Sequence, residues 1–182
     1  MSSGMSLRFN LMGEELVESH RKRRQFFKAD RYLVLGEFAT ATGQQPTWAT
    51  KILRWYIEHG LDVTPVTPQK ELVEVEGRKV IRSINHLPLE DWGRISVSVV
   101  TKARDTLLTL QQASFQQANL TDYDAFLWLQ PGAGGEDHDC VDFIRKDSEL
   151  KAYVIFRGEC VLIDGGEALE AAGKEKEKGD SI

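Results

Sequence analysis

The sequence predicts an α/β fold: a Rossmann-like, doubly wound, mainly parallel five-stranded sheet with helices on both faces. Three observations carry this. Short apolar runs alternate with stretches of helical periodicity along the chain. The first run, Tyr32-Leu-Val-Leu35, is apolar throughout and stops at Gly36, as a buried strand ending in a turn does. Strands separated by helices pair in parallel through right-handed crossovers. At 182 residues the chain is long enough for one domain, by the usual ~150 residues per domain, with short tails. Hydrophobic residues at 41% and charged residues at 28% exclude a wholly disordered chain, a collagen-like fibre and a disulfide scaffold.

The elements follow in order. Residues 1–10 are polar and expected to be mobile, and residues 11–166 form the domain. Residues 14–27 read as a helix with Leu16, Val17, His20, Phe26 and Phe27 inward. Tyr32–Leu35 is the first strand. Thr47 to His59 is a helix, capped by Thr47, striped by Ile52, Trp55 and Tyr56, and closed by Gly60. Asp62–Val66 is the second strand, with Pro65 near its end. Val73 to Ile81 folds as a hairpin around Glu76-Gly77. Ile95–Val100 is the third main strand, Ala103–Ala118 a helix, Ala125–Leu129 the fourth strand, Asp139–Arg145 a short helix and Ala152–Phe156 the fifth strand. Cys160–Ile163 is a final apolar piece ending at Asp164-Gly165-Gly166. Residues 167–182 form a charged, aromatic-free tail expected to fray.

The net charge of −5 is uneven. Residues 1–31 hold seven basic and four acidic side chains, whereas residues 32–166 hold 13 and 19. An acidic body argues against nucleic acid, whose binding rests on phosphate neutralisation. No apolar run approaches the ~20 residues of a membrane helix. Two cysteines, no CxxC pair and a polar first ten residues imply a reducing, cytoplasmic setting.

In a doubly wound sheet, ligands bind outside the carboxyl ends of the strands, near the switch point. The first loop, Gly36 to Gly43, sits where such a fold places a phosphate against backbone N–H groups and a helix dipole. The dinucleotide fingerprint G-x-G-x-x-G is absent there. Strand two ends in Val66-Thr67-Pro68, without the acid that holds a ribose. Both features count against NAD.

At these residues the chain resembles the small stand-alone CoA-binding domain family, whose members are similar to the N-terminal domain of succinyl-CoA synthetase alpha subunits. The matching signature begins at the strand ending in Gly36 and runs through Lys51-Ile-Leu-Arg-Trp-Tyr-Ile-Glu-His-Gly-Leu-Asp-Val-Thr-Pro-Val-Thr-Pro68. It continues in Glu76-Gly-Arg-Lys-Val80, Ser83-Ile-Asn-His-Leu-Pro88, Leu127-Trp-Leu-Gln-Pro-Gly132 and Gly158-Glu-Cys-Val-Leu-Ile-Asp-Gly165. The first loop reads Gly36-Glu37-Phe38 where the family has Gly-Ala-Ser, and Thr67 stands for an asparagine. The resemblance implies a CoA or acyl-CoA ligand, with adenine beside Val66, Thr67 and Pro68.

CoA needs N–H donors for its diphosphate, here from Gly36 through Glu37, Phe38, Ala39 and Thr40 to Thr42. It needs cations, and Lys51, Lys70, Lys102 and Arg104 lie near the correct edge. Ser83 and Thr101 supply hydroxyls, to a ligand or as caps. A carboxylate at Glu37 must point away from the diphosphate. Other constellations have plainer readings. Glu136-Asp-His-Asp-Cys-Val-Asp142 is a helix start capped by acids, with no second ligand pair for zinc. Cys160 is either a small buried hydrophobe or a thiol near that of CoA. The reading reached is a nucleotide-type small-molecule binder without evident catalytic machinery, able to pair as a homodimer. Its rivals are an enzyme using Glu37, an NAD(P)-binding protein and a ligand-free interaction scaffold.

Overall fold

The structure is a computed structural model and describes residues 3–40, 43–84, 93–115 and 126–173. Five strands form one sheet: β1 (Arg31–Leu35), β2 (Val63–Val66), β5 (Ile95–Val99), β6 (Phe126–Leu129) and β7 (Val154–Ile155). All pairs are parallel, in the order β2-β1-β5-β6-β7. The predicted hairpin is present as β3 (Glu74–Val75) and β4 (Arg78–Lys79). Glu76 (φ 51°) and Gly77 (φ 72°) are both left-handed, the conformation a two-residue hairpin turn requires.

One further bridge completes the topology. Ile81 pairs in parallel with Val66, through Thr67 N–H to Ile81 O and Ile81 N–H to Pro65 O, each at 3.0 Å. Counting Ile81 as a strand reduced to one residue, the order is third-second-first-fourth-fifth-sixth, that of the Rossmann sheet. Pro65 fits because its missing N–H lies on the Ile81 side, where the pairing is a single bridge. The order of strand addition reverses between β1 and β5, which run parallel, and this is the switch point.

Helices cover both faces because alternate strand residues point to opposite sides. Tyr32 and Val34 face Phe26, Phe27, Tyr56, Trp128 and Leu169, which come from α1 (Ser3–Phe26) and the turn after it, α2 (Trp48–Glu58), β6 and α6 (Val161–Ala171). Leu33, Val97 and Leu127 face Leu110, Cys140, Ile144 and Leu150, which come from α3 (Ala103–Phe115), α4 (His138–Lys146) and α5 (Ser148–Tyr153). A buried polar chain runs through the first layer. Tyr56 OH and Ser98 Oγ are 2.8 Å apart, Gln130 Nε2 donates to Ser98 at 3.4 Å, and Gln130 Oε1 accepts Val161 N–H at 2.9 Å.

Several expectations are corrected. The first helix is one piece from Ser3, so residues 3–10 continue it. Leu16 and Val17 are exposed and so is His20; the inward residues before Phe26 are Ser19, Lys22 and Arg23. They face inward because each has polar work: Ser19 bonds Glu159, Lys22 caps the carbonyls of Lys151 and Val154, and Arg23 lies 3.4 Å from Asp164. The fifth strand shrinks to two residues. Asp147 caps a helix over 148–153 that takes Ala152 and Tyr153 out of the strand. The final apolar piece is the start of α6, which continues through Gly165-Gly166 to Ala171. Gly165 permits this because a Cβ there would meet the Trp55 ring at 2.8 Å. The end of the helix expected to Ala118, Ala125 of the fourth strand, residues 85–88 of the Ser83 motif, Thr42 and residues 174–182 lie outside the described residues.

Candidate functional site at the switch point

The carboxyl ends of β1 and β5 meet at Gly36 and Val100. Val100 N–H donates to Leu35 O at 2.8 Å. A Cβ at Gly36 would lie 2.9 Å from the Cβ of Ala49 and 3.2 Å from that of Val100. Glycine therefore lets the first turn of α2 press directly against the end of the sheet. Ala49, small and buried, completes this approach.

The loop amides do not form the expected continuous cradle. Gly36 N–H extends the ladder to Val66 O at 3.1 Å. Phe38 N–H is taken by Gln69 Oε1 at 2.8 Å, and Gln69 Nε2 returns a bond to Phe38 O at 3.1 Å. Thr40 N–H goes to Gln44 Oε1 at 3.1 Å. Every second amide thus has an internal acceptor. Among the described residues, the N–H groups of Glu37 and Ala39 on the loop and of Trp48 and Ala49 on α2 carry no such bond. The latter pair opens α2, whose N-cap Thr47 bonds to Thr50 N–H, the Thr50 hydroxyl and Lys51 N–H and not to these two amides. An α-helix leaves its first N–H groups without intrahelical partners, and their dipoles favour an anion.

The other expected residues divide into two groups. Val66 and Thr67 are fully buried, and Thr67 Oγ1 donates to Gln69 Oε1 at 2.9 Å. Phe38 is in the hydrophobic core. These three shape the edge and present little surface. Glu37, Thr40, Lys51, Pro68, Lys70, Lys102 and Arg104 are exposed, while Ala39, Ser83 and Thr101 are half-buried. The Lys51 ammonium stands 5.5 Å over the Trp48 ring, beside the opening of α2. Trp48 itself is exposed. Thr101 and Thr106 share a 2.8 Å hydroxyl pair at the start of α3. Arg104 extends into solvent, 3.6 Å from Asp105.

Three contributors were missed from sequence. Gln69 ties the loop after β2 to the loop after β1. Arg82 donates to the carbonyls of Gln69 and Lys70 and braces that same turn. Gln130, within the quoted Leu127–Gly132 motif, holds the start of α6. Neutral amides at loop positions carry no pattern in sequence, and only Gln130 stood in a motif.

The acidic run starts a helix as expected, with Asp137 Oδ1 accepting Cys140 N–H at 3.0 Å. Among the described residues, no three His, Cys, Asp or Glu side chains are placed to hold a metal ion. Cys160 is buried at the N-cap of α6, and its N–H donates to Asp164 Oδ2 at 2.8 Å. Cys140 is buried with its Sγ on Ala103 O. Burial, aided by the carboxylates of Asp137 and Asp139, pushes its thiol up to about 11. No described helix is long and apolar enough to cross a membrane.

No curated protein matches the chain. The family described as CoA binding domain matches residues 31–166, from the first residue of β1 to the middle of α6, and leaves α1 outside.

Proposed function

This chain belongs to the CoA-binding domain family, and from that premise we propose that it is a stand-alone binding module for CoA or an acyl-CoA, held across the switch point. The observation that carries the placement is the close seat of α2 on the sheet. Gly36 and Ala49 bring two unbonded helix N–H groups to the carboxyl edge, with Lys51 one turn further on. The diphosphate belongs there, on Trp48 and Ala49 N–H, rather than on the amides of Gly36, Phe38 and Thr40. Glu37, exposed on the loop, turns its charge to solvent and away from the anion.

Adenine belongs beside the end of β2. The peptide of Phe38 offers one N–H and one C=O, the pair that complements adenine at N1 and its 6-amino group. The Gln69 carboxamide now satisfies both. Adenine and Gln69 then compete for one peptide, and ligand binding swings the carboxamide aside. Lys70, Lys102 and Arg104 serve the remaining phosphate as exposed cations at the rim.

One observation favours the scaffold reading as runner-up: Phe38 and Gln69 fill the edge from within. A thermal-shift screen separates the two. Ligand binding to the folded state raises stability by ~2.7 kcal/mol at a hundredfold excess over Kd. CoA and acetyl-CoA are expected to raise Tm, and NADP and ATP to do so less. No shift with CoA compounds, whatever NADP does, would defeat the proposal and favour the scaffold or an NADP site.

A further inference from the structure

A groove of about 520 Å³ runs along the open edge of the sheet, between α1 and α5, with β7 as its floor. That volume is in the range of small-molecule sites. One wall is Glu14, Glu18, Ser19 and Lys22, so α1, which lies outside the family match, builds this side of the groove.

At its floor lies a buried ammonium. Lys22 is 6% exposed, and its Nζ donates to Lys151 O at 2.6 Å and Val154 O at 3.0 Å. A lysine has three N–H donors, so one remains. No carboxylate pairs with it among the described residues. Glu18 and Glu159 lie near enough to favour its charge without forming an ion pair, but burial outweighs them and pulls the Lys22 pKa below its ordinary value. The Phe156 ring centroid is 5.7 Å away, and Ala152, Val154 and Ile155 make the surrounding floor apolar.

The edge is closed to an added strand. Val154 O is held by Lys22, and Val154 N–H by Leu150 O as the cap of α5. The charges at the rim are Arg145 and Lys151, and Arg157 with a partner of its own, against Glu14 and Glu18. Glu18 is already bound by Arg21 at 2.6 Å. This balance favours a single negative charge, while the glutamate wall disfavours a polyanion.

We propose that this groove binds a small amphipathic monocarboxylate, its carboxylate on the remaining N–H of Lys22 and its aliphatic part along Ala152, Val154 and Phe156. The site is independent of the CoA reading and stands or falls without it.

The test is calorimetric titration of the full chain with octanoate. Saturable binding at one site is expected, weakened at least tenfold by Lys22→Met and by Ala152→Trp, while the response to CoA is unchanged in both. Lys22→Met also removes a cap from α5; should it fail to fold, Ala152→Trp, which fills the groove and keeps the ammonium, decides alone. Absence of octanoate binding, or binding indifferent to Ala152→Trp, would overturn the proposal. Competition by inorganic phosphate as strong as that by octanoate would overturn the assignment to a carboxylate.

Discussion

Gln69 grips the peptide of Phe38 from both ends, accepting its N–H at 2.8 Å and donating to its C=O at 3.1 Å. Two loops that follow different strands are thereby joined by one neutral side chain. Its Oε1 also accepts Thr67 Oγ1–H, so the carboxamide is locked in orientation by the end of β2. In the proposed mode of binding, this lock is what a ligand must open.

Replacing Gln69 by Ala removes both bonds and the one that Thr67 Oγ1–H donates. Each is worth roughly 1 kcal/mol net, so stability should fall by about 2–3 kcal/mol. Affinity for CoA should rise about fivefold, since no internal group remains to be displaced. Urea unfolding and calorimetry read the two effects separately. Weaker CoA binding in Gln69→Ala would show that the carboxamide supports the ligand rather than competing with it.

Gly36→Ala should destabilise the protein by about 1–3 kcal/mol. Its new Cβ collides with the Cβ of Ala49 at 2.9 Å, and neither the helix nor the strand can yield without moving the other. The φ of Gly36 is not positive, so the cost is crowding alone. Chemical denaturation should therefore show a lower midpoint with an unchanged slope. A neutral Gly36→Ala would mean that α2 does not press on the sheet.

Gln130→Ala and Tyr56→Phe probe one buried chain at two points. Gln130→Ala strips Val161 N–H of its acceptor and should cost about 1–3 kcal/mol, the penalty of an unsatisfied buried donor. Tyr56→Phe leaves Ser98 with its Gln130 contact and should cost only about 1 kcal/mol. Equal losses would indicate that the chain does not end at α6.

How much of this was open to reading from sequence differs by element. The runs Tyr32–Leu35 and Phe126–Leu129 betray themselves because both faces of their strands are covered by helices. Glu76-Gly77 announces its turn through the conformations it must adopt. By contrast, α1 hid its inward face, because Ser19, Lys22 and Arg23 turn polar groups toward strand and helix ends instead of an apolar layer. The fifth strand was overread since Tyr153 is apolar in either state, and only the Asp147 cap decides for helix. At the site, Gly36 and the α2 start were legible from strand-glycine-helix order. The use of alternate loop amides by Gln69 and Gln44 was not, because it depends on contacts between residues distant in sequence or on side-chain rotamers.

Stability should decline above pH about 9. The Cys140 thiol and the phenols of Tyr32 and Tyr56 are all raised by burial, the last two strongly. Each folded form therefore holds its proton longer than the unfolded chain does. That stability is fully present below the unfolded pKa and is lost as pH rises toward the folded value. Lys22, lowered by burial, works in the opposite sense, one group against three. Melting should show a lower Tm at pH 10.5 than at 7.5. Phenolate absorbance should show Tyr32 and Tyr56 titrating only as the protein unfolds. A Tm that holds or rises would contradict the burial of these groups.

The most direct test of ligand placement is a ¹H–¹⁵N NMR titration of the full chain with CoA. Saturable shifts are expected to be largest at the amides of Trp48 and Ala49, with Phe38 moving as Gln69 departs. Shifts confined to other parts of the molecule, or none at millimolar CoA, would contradict a diphosphate seated at the opening of α2.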